Sequence, residues 1–509
     1  MGGSTRTIKS VAIIGAGASG AAAAAAFGGE EYFDVIKIFE RRQEPGGTWL
    51  YDPVPTRFAL HPGALPPQID KPLNIPSKLP TTTAPSCQER YDKTPVYAEL
   101  TTNVPAIAMS LSDRPFAYGP FVPHWIPRQY LADYFSIHGQ DRNLVLNTTV
   151  EDVTHIPKVE GWRLTLRKHD PARKVDEWWQ EEFDAVVIAH GHYSVPYIPE
   201  VPGLPEYISA FPGRVMHSKV YRTAHEFAGQ RLLVIGNSAS GHDVADQVIK
   251  SGLAAGSVYQ SRRSKNRWDG DLPPEGIVWK PIIERYTADG TIVFVDGTTL
   301  GKDDIDAIVY CTGYKISFPW WNVKANGRPL WDYDADRVLG NYQHTFLQDF
   351  PTLGIVGVPR ALTFRSFEYQ AIALARVFAG RATLPSVEEQ KAWEAERAEQ
   401  QRNAHKRFHD IDWDNGSTVG YLTWLYRLAG LPQLDGKGRA PPVLDAATRW
   451  AIENIKKYPV GPRKPDDSDK YSAEVLVEHD SGAERQKDGW VVVDRTRVRE
   501  RPDDSLWFI

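Results

Sequence analysis

An α/β fold with two Rossmann-like dinucleotide-binding domains and a mainly helical C-terminal extension is predicted by three observations in this 509-residue chain. A strand, glycine turn and helix begin the chain at SVAIIGAGASGAAAAAAF, and the same unit returns at RLLVIGNSASGHDVADQVIK. Beyond residue 385 the glycine turns give way to charged helix formers. The predicted organisation is a first domain over residues 1–205 and 314–385, interrupted by an inserted second domain over 206–313 and followed by an extension over 386–509.

In the first unit, Val11 to Ile14 reads as a buried strand and the alanine run as a helix. Gly15, Gly17 and Gly20 occupy the three positions of G-x-G-x-x-G. The first permits the tight turn, the second lets a pyrophosphate approach the backbone, and the third lets helix pack closely on strand, with the helix N-terminus facing the phosphates. The next strand, YFDVIKIFE, ends in Glu40, where a carboxylate binds a ribose diol and disfavours a 2′-phosphate. RRQEPGGTW then supplies Gly46 and Gly47, bare backbone where a flat ring system can lie, with Trp49 beside it. The site is read as one for FAD or NAD, with Ser19, Arg41, Thr48 and Trp49 joining the expected cofactor contacts.

In the second unit the strand Leu232 to Ile235 leads into Gly236, Asn237, Ser238, Ala239, Ser240 and Gly241, with Ser238 in place of the middle glycine. The following strand ends in SVYQSRRSK, so Arg262 and Arg263 stand where the first unit has Glu40, and guanidinium groups match a 2′-phosphate in shape and charge. One site for an unphosphorylated ribose and one for a phosphorylated ribose point to FAD plus NADPH, and so to hydride transfer from nicotinamide to flavin. Two apolar strands running into small-residue turns, residues 183–199 and 305–319, read as the crossovers between the two domains.

Composition narrows the function. With 42% apolar and 24% charged residues the chain is an ordinary globular protein, and its net charge of -5 offers no basic field for nucleic acid or anionic lipid. Cys87 and Cys311 form neither a CxxC pair nor a zinc spacing, so no metal site is expected and a reducing, cytoplasmic location is. Arg6 and Lys9 ahead of the alanine run imitate a secretory signal, but the internal glycine pattern favours a strand, turn and helix. No apolar run approaches the about 20 residues of a membrane span.

With both nucleotide sites in place, FPGRVMHSKVYR (211–222) becomes specific. F-x-G-x-x-x-H-x-x-x-Y between two such sites resembles the signature of the flavin-containing monooxygenases, the N- and S-oxygenating branch of class B flavoprotein monooxygenases, and most of all the soluble yeast and fungal members. The resemblance runs over residues 8–380 through EPGGTW, VYAELTTNVP, SLSDRPF, CTGY, NYQHTF and FEYQAIALARVFAG. It implies that NADPH reduces FAD, that dioxygen adds at the flavin C4a to give a hydroperoxide, and that one oxygen passes to a soft nitrogen or sulfur of a small molecule, nitrogen being preferred. Asn103 and His217 are the catalytic candidates that the resemblance supplies: Asn103 beside the flavin edge and nicotinamide amide, His217 positioning the domains and the nicotinamide. Thr312, Gly313 and Gln370 are expected at the cofactors by the same resemblance.

The chain departs from the pattern at Ala189-His190-Gly191, where the family often has Ala-Thr-Gly. His124, His138, His190 and His192 read as structural. A Baeyer–Villiger monooxygenase acting on a ketone is the alternative, although its run normally ends in Trp where this one has Tyr221. A disulfide reductase would need a cysteine pair, and a non-catalytic nucleotide-binding protein would need the looser GNSASG turn to have lost hydride transfer. Homo-oligomerisation stays open. In the extension, SVEEQKAWEAERAEQQRNAHKRF reads as an exposed helix and YLTWLYRLAGLP as an amphipathic helix stopped by Gly430 and Pro432. From GPRKPDDSDK onward a partly disordered linker is expected, with GWVVVD and SLWFI as candidate packing segments.

Overall fold

The alternation of apolar strands with helices resolves into one mainly parallel sheet and one wholly parallel sheet. A computed structural model describes residues 7–116, 118–266, 269–359, 361–413, 415–432 and 436–458. The first sheet has seven strands, in the order Asn341–Tyr342, Phe346–Leu347, Leu353–Ile355, Ala185–Ile188, Ser10–Ile14, Val35–Phe39 and Leu144–Val145. Pairing is parallel from Leu353–Ile355 to Leu144–Val145 and antiparallel at the other edge. Ile14 is level with both Phe39 and Ile188, so the strand ends bring Gly15, Glu40 and Ala189 side by side. That carboxyl edge is where open α/β sheets place their ligands.

The alanine run forms the helix Ala18–Gly29, in which Ala21 to Ala26 are all at most 2% exposed. Covered by the sheet on one side and by the helix Thr363–Phe378 on the other, it is apolar all round because it has no solvent face. This explains its likeness to a secretory signal. Small side chains let the three layers approach, and alanine loses no rotamer freedom in doing so.

The second sheet has five parallel strands, ordered Val215–His217, Ala307–Tyr310, Leu232–Ile235, Val258–Ser261 and Ile277–Lys280. Ile235 pairs with both Ser261 and Tyr310, which gathers Gly236, Arg262 and Cys311 at its carboxyl edge. The two crossovers are paired with each other: Tyr314 and Lys315 lie antiparallel to Pro196 and Val195 in a two-stranded ribbon. A four-stranded antiparallel sheet built from Thr81–Thr83, Val175–Phe183, Gly161–Asp170 and Thr148–Ile156 flanks the first sheet.

The extension is helical where it is described. Ser386 and Glu389 form a capping box at the start of Val387–Asn403, and Ser417–Ala429 ends at Gly430 as its sequence predicts. A third helix, Ala446–Asn454, is capped by Asp445. The extension joins the core through polar contacts as well: His409 Nε2 accepts from the Val338 N–H at 3.1 Å, and its Nδ1 lies 2.9 Å from His344 Nδ1. His409 therefore carries its proton on Nδ1 and donates it to His344. The GWVVVD and SLWFI segments lie outside the described residues.

Candidate functional site

At the carboxyl edge of the first sheet a cavity is lined by Gly15, Gly17, Ser19, Glu40, Arg41, Gly47, Thr48 and Trp49. Gly15 has φ +105°, and a Cβ there would stand 2.7 Å from the Ala189 carbonyl oxygen. A Cβ on Gly47, at φ +55°, would stand 2.6 Å from the Gly17 Cα. Two strips of bare backbone thus lie directly against each other in the cavity wall. Gly20 lies outside the lining: its missing Cβ would meet the Gly15 carbonyl oxygen at 2.0 Å, so it sets how closely the helix approaches the turn.

Glu40 is buried, and its Oε2 accepts from the Ala16 N–H at 2.8 Å while Oε1 accepts from the Arg42 N–H at 2.9 Å. The carboxylate braces the glycine turn and presents its free edge to the cavity. Asp70 stands in the same lining and carried no sequence signal, because the proline-rich stretch around it has no periodicity. Its Oδ2 accepts from Ser317 Oγ at 2.6 Å, whereas the buried Oδ1 has no hydrogen-bond partner and the nearest cation, Arg90, is 3.9 Å away. Burial pushes the Asp70 carboxyl above its ordinary range. A buried acceptor without a donor is costly unless a ligand supplies one. The bare strips, the Glu40 carboxylate and this orphan oxygen fit FAD.

Part of the lining is apolar. Trp49 packs edge-on against Phe364 at 6.3 Å, and Met109, Phe364 and Phe367 share the lining. Gln370 does not line it. Fully buried, its Oε1 accepts from the Gly357 N–H and its Nε2 donates to Thr345 Oγ1, both at 2.9 Å, so it holds a lining glycine from behind. Asn103 also stands outside the lining, on the half-buried turn after Thr102, whose N–H donates to the Val122 carbonyl at 2.8 Å. Of the histidines expected to be structural, His124 packs beside Tyr51 and His138 lies 3.0 Å from Asp113, but His190 and His192 line the cavity. The sequence could not show this, because the Ala189-His190-Gly191 departure falls at the strand end that closes over Gly15.

The second turn repeats the geometry of the first. Gly236 has φ +113°, with its missing Cβ 2.7 Å from the Cys311 carbonyl oxygen, and a Cβ on Gly241 would stand 2.1 Å from the Gly236 oxygen. Ser238 is the exposed N-cap of the helix Ala239–Ser251 and makes no capping bond, while Ser240 lies in its first turn. Asn237 donates to Asp269 Oδ2 at 2.8 Å, as does Arg262, whose guanidinium stacks 3.3 Å from the centre of the Trp279 ring. Arg263 is exposed beside it. Asp269, in the same connection as Arg262, and Trp279, on the next strand, fix Arg262 in place; neither was legible in sequence, because the connection has no regular pattern to show that it folds back.

The run 211–222 physically joins the two sites. His217 is fully buried: Nε2 donates to the Gly313 carbonyl at 3.0 Å and Nδ1 accepts from the Lys219 N–H at 3.0 Å. Burial brings its pKa down to about 3, so the ring stays neutral and acts as a tether. Gly313, at φ +80°, also accepts from the Tyr197 N–H at 2.9 Å, and Thr312 Oγ1 donates to the Tyr197 carbonyl. Lys219, buried until its pKa falls to about 7, donates from Nζ to the carbonyls of Tyr91 and Lys93. Arg222 reaches the carbonyls of Asp52 at 2.5 Å and Thr94 at 3.0 Å. Tyr91, Lys93 and Thr94 are walls of the first cavity.

Comparison with known proteins agrees with this arrangement. The family described as flavin-binding monooxygenase-like matches residues 87–268 and 271–431. The chain is 31% identical to the flavin-containing monooxygenase FMO GS-OX5 of Arabidopsis thaliana, over 83% of this chain and 85% of that protein. It is 29% identical to the flavin-containing monooxygenase iboF of Amanita muscaria, over 76% of this chain and 81% of that one. Among solved structures, an S-allyl-L-cysteine S-oxygenase from Allium sativum superposes with a TM-score of 0.69 at 26% identity, covering 92% of this chain and 99% of that one. Cyclohexanone monooxygenase, at 14% identity and a TM-score of 0.52, shares the fold. With two matching nucleotide turns, the joining run between them and a family match over most of its length, the chain is a flavin-containing monooxygenase that uses FAD and NADPH.

Proposed function

We infer that the protein transfers one oxygen atom from dioxygen to a neutral sulfur of a small molecule. The observation that carries this reading is the apolar part of the first cavity's lining, Trp49, Met109, Phe364 and Phe367, which offers no carboxylate. An aliphatic amine is cationic at neutral pH and would enter such a wall at a desolvation cost, whereas a thioether enters uncharged. The likeness to an S-oxygenase over most of the chain supports the same choice. The nitrogen preference drawn from the sequence has no comparable support and becomes the second reading.

In this reading residues 1–205 and 314–385 hold FAD, residues 206–313 hold NADPH, and 386–509 form the extension. Bound FAD supplies the electron relay and the activation of oxygen. The chain supplies placement. Gly15, Gly17 and Gly47 give the pyrophosphate bare backbone, Glu40 takes the ribose diol, and Ser19, Arg41, Thr48 and Trp49 line its path. Gly236, Asn237, Ser238, Ser240 and Gly241 cradle the second pyrophosphate, with Arg262 and Arg263 for the 2′-phosphate. Asn103 is assigned to the nicotinamide amide, an uncharged donor and acceptor that offers no strong acid. His217, Thr312 and Gly313 hold the crossover between the sites, and Gln370 fixes Gly357.

The test is oxygen-18 incorporation. Purified protein with NADPH and labelled dioxygen is offered an aryl methyl sulfide, a tertiary amine and a cyclic ketone in parallel. Labelled sulfoxide as the main product supports the reading. Labelled N-oxide alone would move it to nitrogen, and labelled lactone to the Baeyer–Villiger alternative.

A further inference from the structure

One buried carboxylate gathers hydrogen bonds from two distant parts of the chain. Asp243, in the helix Ala239–Ser251 that follows the second glycine turn, is 7% exposed. Its Oδ2 accepts from Tyr97 OH, which belongs to the segment leading to Asn103, and from Lys457 Nζ at 3.2 Å. Its Oδ1 accepts from Tyr458 OH at 2.7 Å. Lys457 Nζ also donates to the Thr101 carbonyl at 3.2 Å, two residues before Asn103. The Tyr458 ring packs edge-on against His242 at 5.0 Å. Residues 457 and 458 belong to the extension, more than two hundred residues from the helix they grip.

The chemistry of the cluster is that of a fixed joint. Burial, together with the Asp243 charge, holds the phenols of Tyr97 and Tyr458 above their ordinary range, so both remain donors. Lys457 compensates the carboxylate, whose burial would otherwise be unfavourable. One turn further along the same face, Tyr221 OH donates to Gln247 Oε1 at 2.6 Å, and its ring packs against that of Tyr97. Hydride transfer demands a donor and acceptor spacing kept to a fraction of an ångström. A helix that carries the second glycine turn therefore needs a fixed relation to the segment that carries Asn103.

We propose that Lys457 and Tyr458 are positioning residues for flavin reduction: the extension straps the second nucleotide turn, through Asp243, to the 97–103 segment. The proposal rests on the two-nucleotide reading, and it gives the extension a role in catalysis that does not require it to touch substrate. The grip falls on Asp243 and His242, just past the glycine turn, and no bond in it goes to the turn residues 236–241. Loosening it should slow the transfer while leaving the nucleotide's own contacts in place.

The experiment is anaerobic stopped-flow reduction of the full-length, FAD-loaded protein by NADPH, comparing wild type with Lys457→Met/Tyr458→Phe, Tyr458→Phe alone and Lys457→Arg. The double variant is expected to keep its FAD and its NADPH half-saturation while the limiting rate of flavin reduction falls about ten- to a hundredfold. Tyr458→Phe removes one oxygen and keeps the ring on His242, so it folds even if the double variant does not. Its expected loss is about two- to tenfold. Lys457→Arg keeps a cation at the carboxylate and should stay near wild type. A limiting rate unchanged in Tyr458→Phe and in the double variant, with only the melting temperature lowered, would mean that the joint merely staples the fold and would overturn the proposal. If NADPH did not reduce the wild-type flavin at all, the two-nucleotide reading would fall with it.

Discussion

Replacing Gly241 with alanine separates the two nucleotide sites experimentally. The new Cβ would lie 2.1 Å from the Gly236 carbonyl oxygen and 3.5 Å from Cys311 Cβ. Ordinary carbon contacts sit at about 3.5 Å, so the helix Ala239–Ser251 must move outward by more than about 1 Å. Overpacking of this size costs about 1–3 kcal/mol of stability, which a large domain tolerates. A displacement of about 1 Å in a reacting geometry costs about a hundredfold in rate, near 2.7 kcal/mol of barrier. Gly241→Ala should therefore purify with a full complement of FAD and be reduced by NADPH about a hundredfold more slowly. Gly20→Ala places the same overlap, 2.0 Å from the Gly15 oxygen, at the first turn and should lose FAD instead. The assay is flavin absorbance per chain followed by anaerobic reduction. Loss of FAD from Gly241→Ala, or wild-type reduction by it, would refute the assignment of the second turn to NADPH.

Glu40→Gln weakens the bonds to the Ala16 and Arg42 N–H groups and to the ribose, and should raise the FAD dissociation constant about ten- to a hundredfold, read by flavin fluorescence on titration. Arg262→Ala removes the guanidinium held by Trp279 and Asp269, and should lower the preference for NADPH over NADH about tenfold or more; an unchanged preference would assign the 2′-phosphate to Arg263 alone. His217 and His409 are buried and neutral, each with a pKa near 3 in the folded chain against about 6.5 unfolded. Unfolding then takes up protons as the pH falls from about 6.5 towards 3, so stability is full above that window and declines through it by about 1.4 kcal/mol per pH unit for each histidine. Urea midpoints at pH 7 and 5.5 check this: an unchanged midpoint would contradict neutral burial.

Features that depend on neighbours in sequence could be read from the sequence. Gly15, Gly17, Gly20 and Glu40 announce a turn and a strand end through spacing alone, and in the structure they meet within a few ångströms because adjacent parallel strands end level. The tie between the run 211–222 and the cavity wall was foreseen as a connection between domains, but Lys219 and Arg222, which make it, bond to backbone carbonyls, and carbonyls leave no trace in a sequence. Asp70 was missed for a related reason: its place depends on how an aperiodic, proline-rich stretch folds back over the sheet edge. Gln370 was expected to approach the cofactor, yet its carboxamide is spent on Gly357 and Thr345, a partnership between a helix and two distant loops. The role of the extension was equally hidden, since Asp243 and Tyr458 share no local pattern.

The ribbon formed by Val195–Pro196 and Tyr314–Lys315 has a consequence for how such enzymes diversify. It puts the departure and the return of the chain in one hydrogen-bonded ladder, so the stretch between them begins and ends at a single place. A stretch with adjoining ends can be exchanged between relatives as a cassette without displacing its anchors. If that stretch holds NADPH, as proposed above, pyridine-nucleotide preference is a property that recombination can transplant in one event. A graft made this way would have to carry Asp243, Lys219 and Arg222 intact, because these are the side chains by which the cassette is fastened to its host.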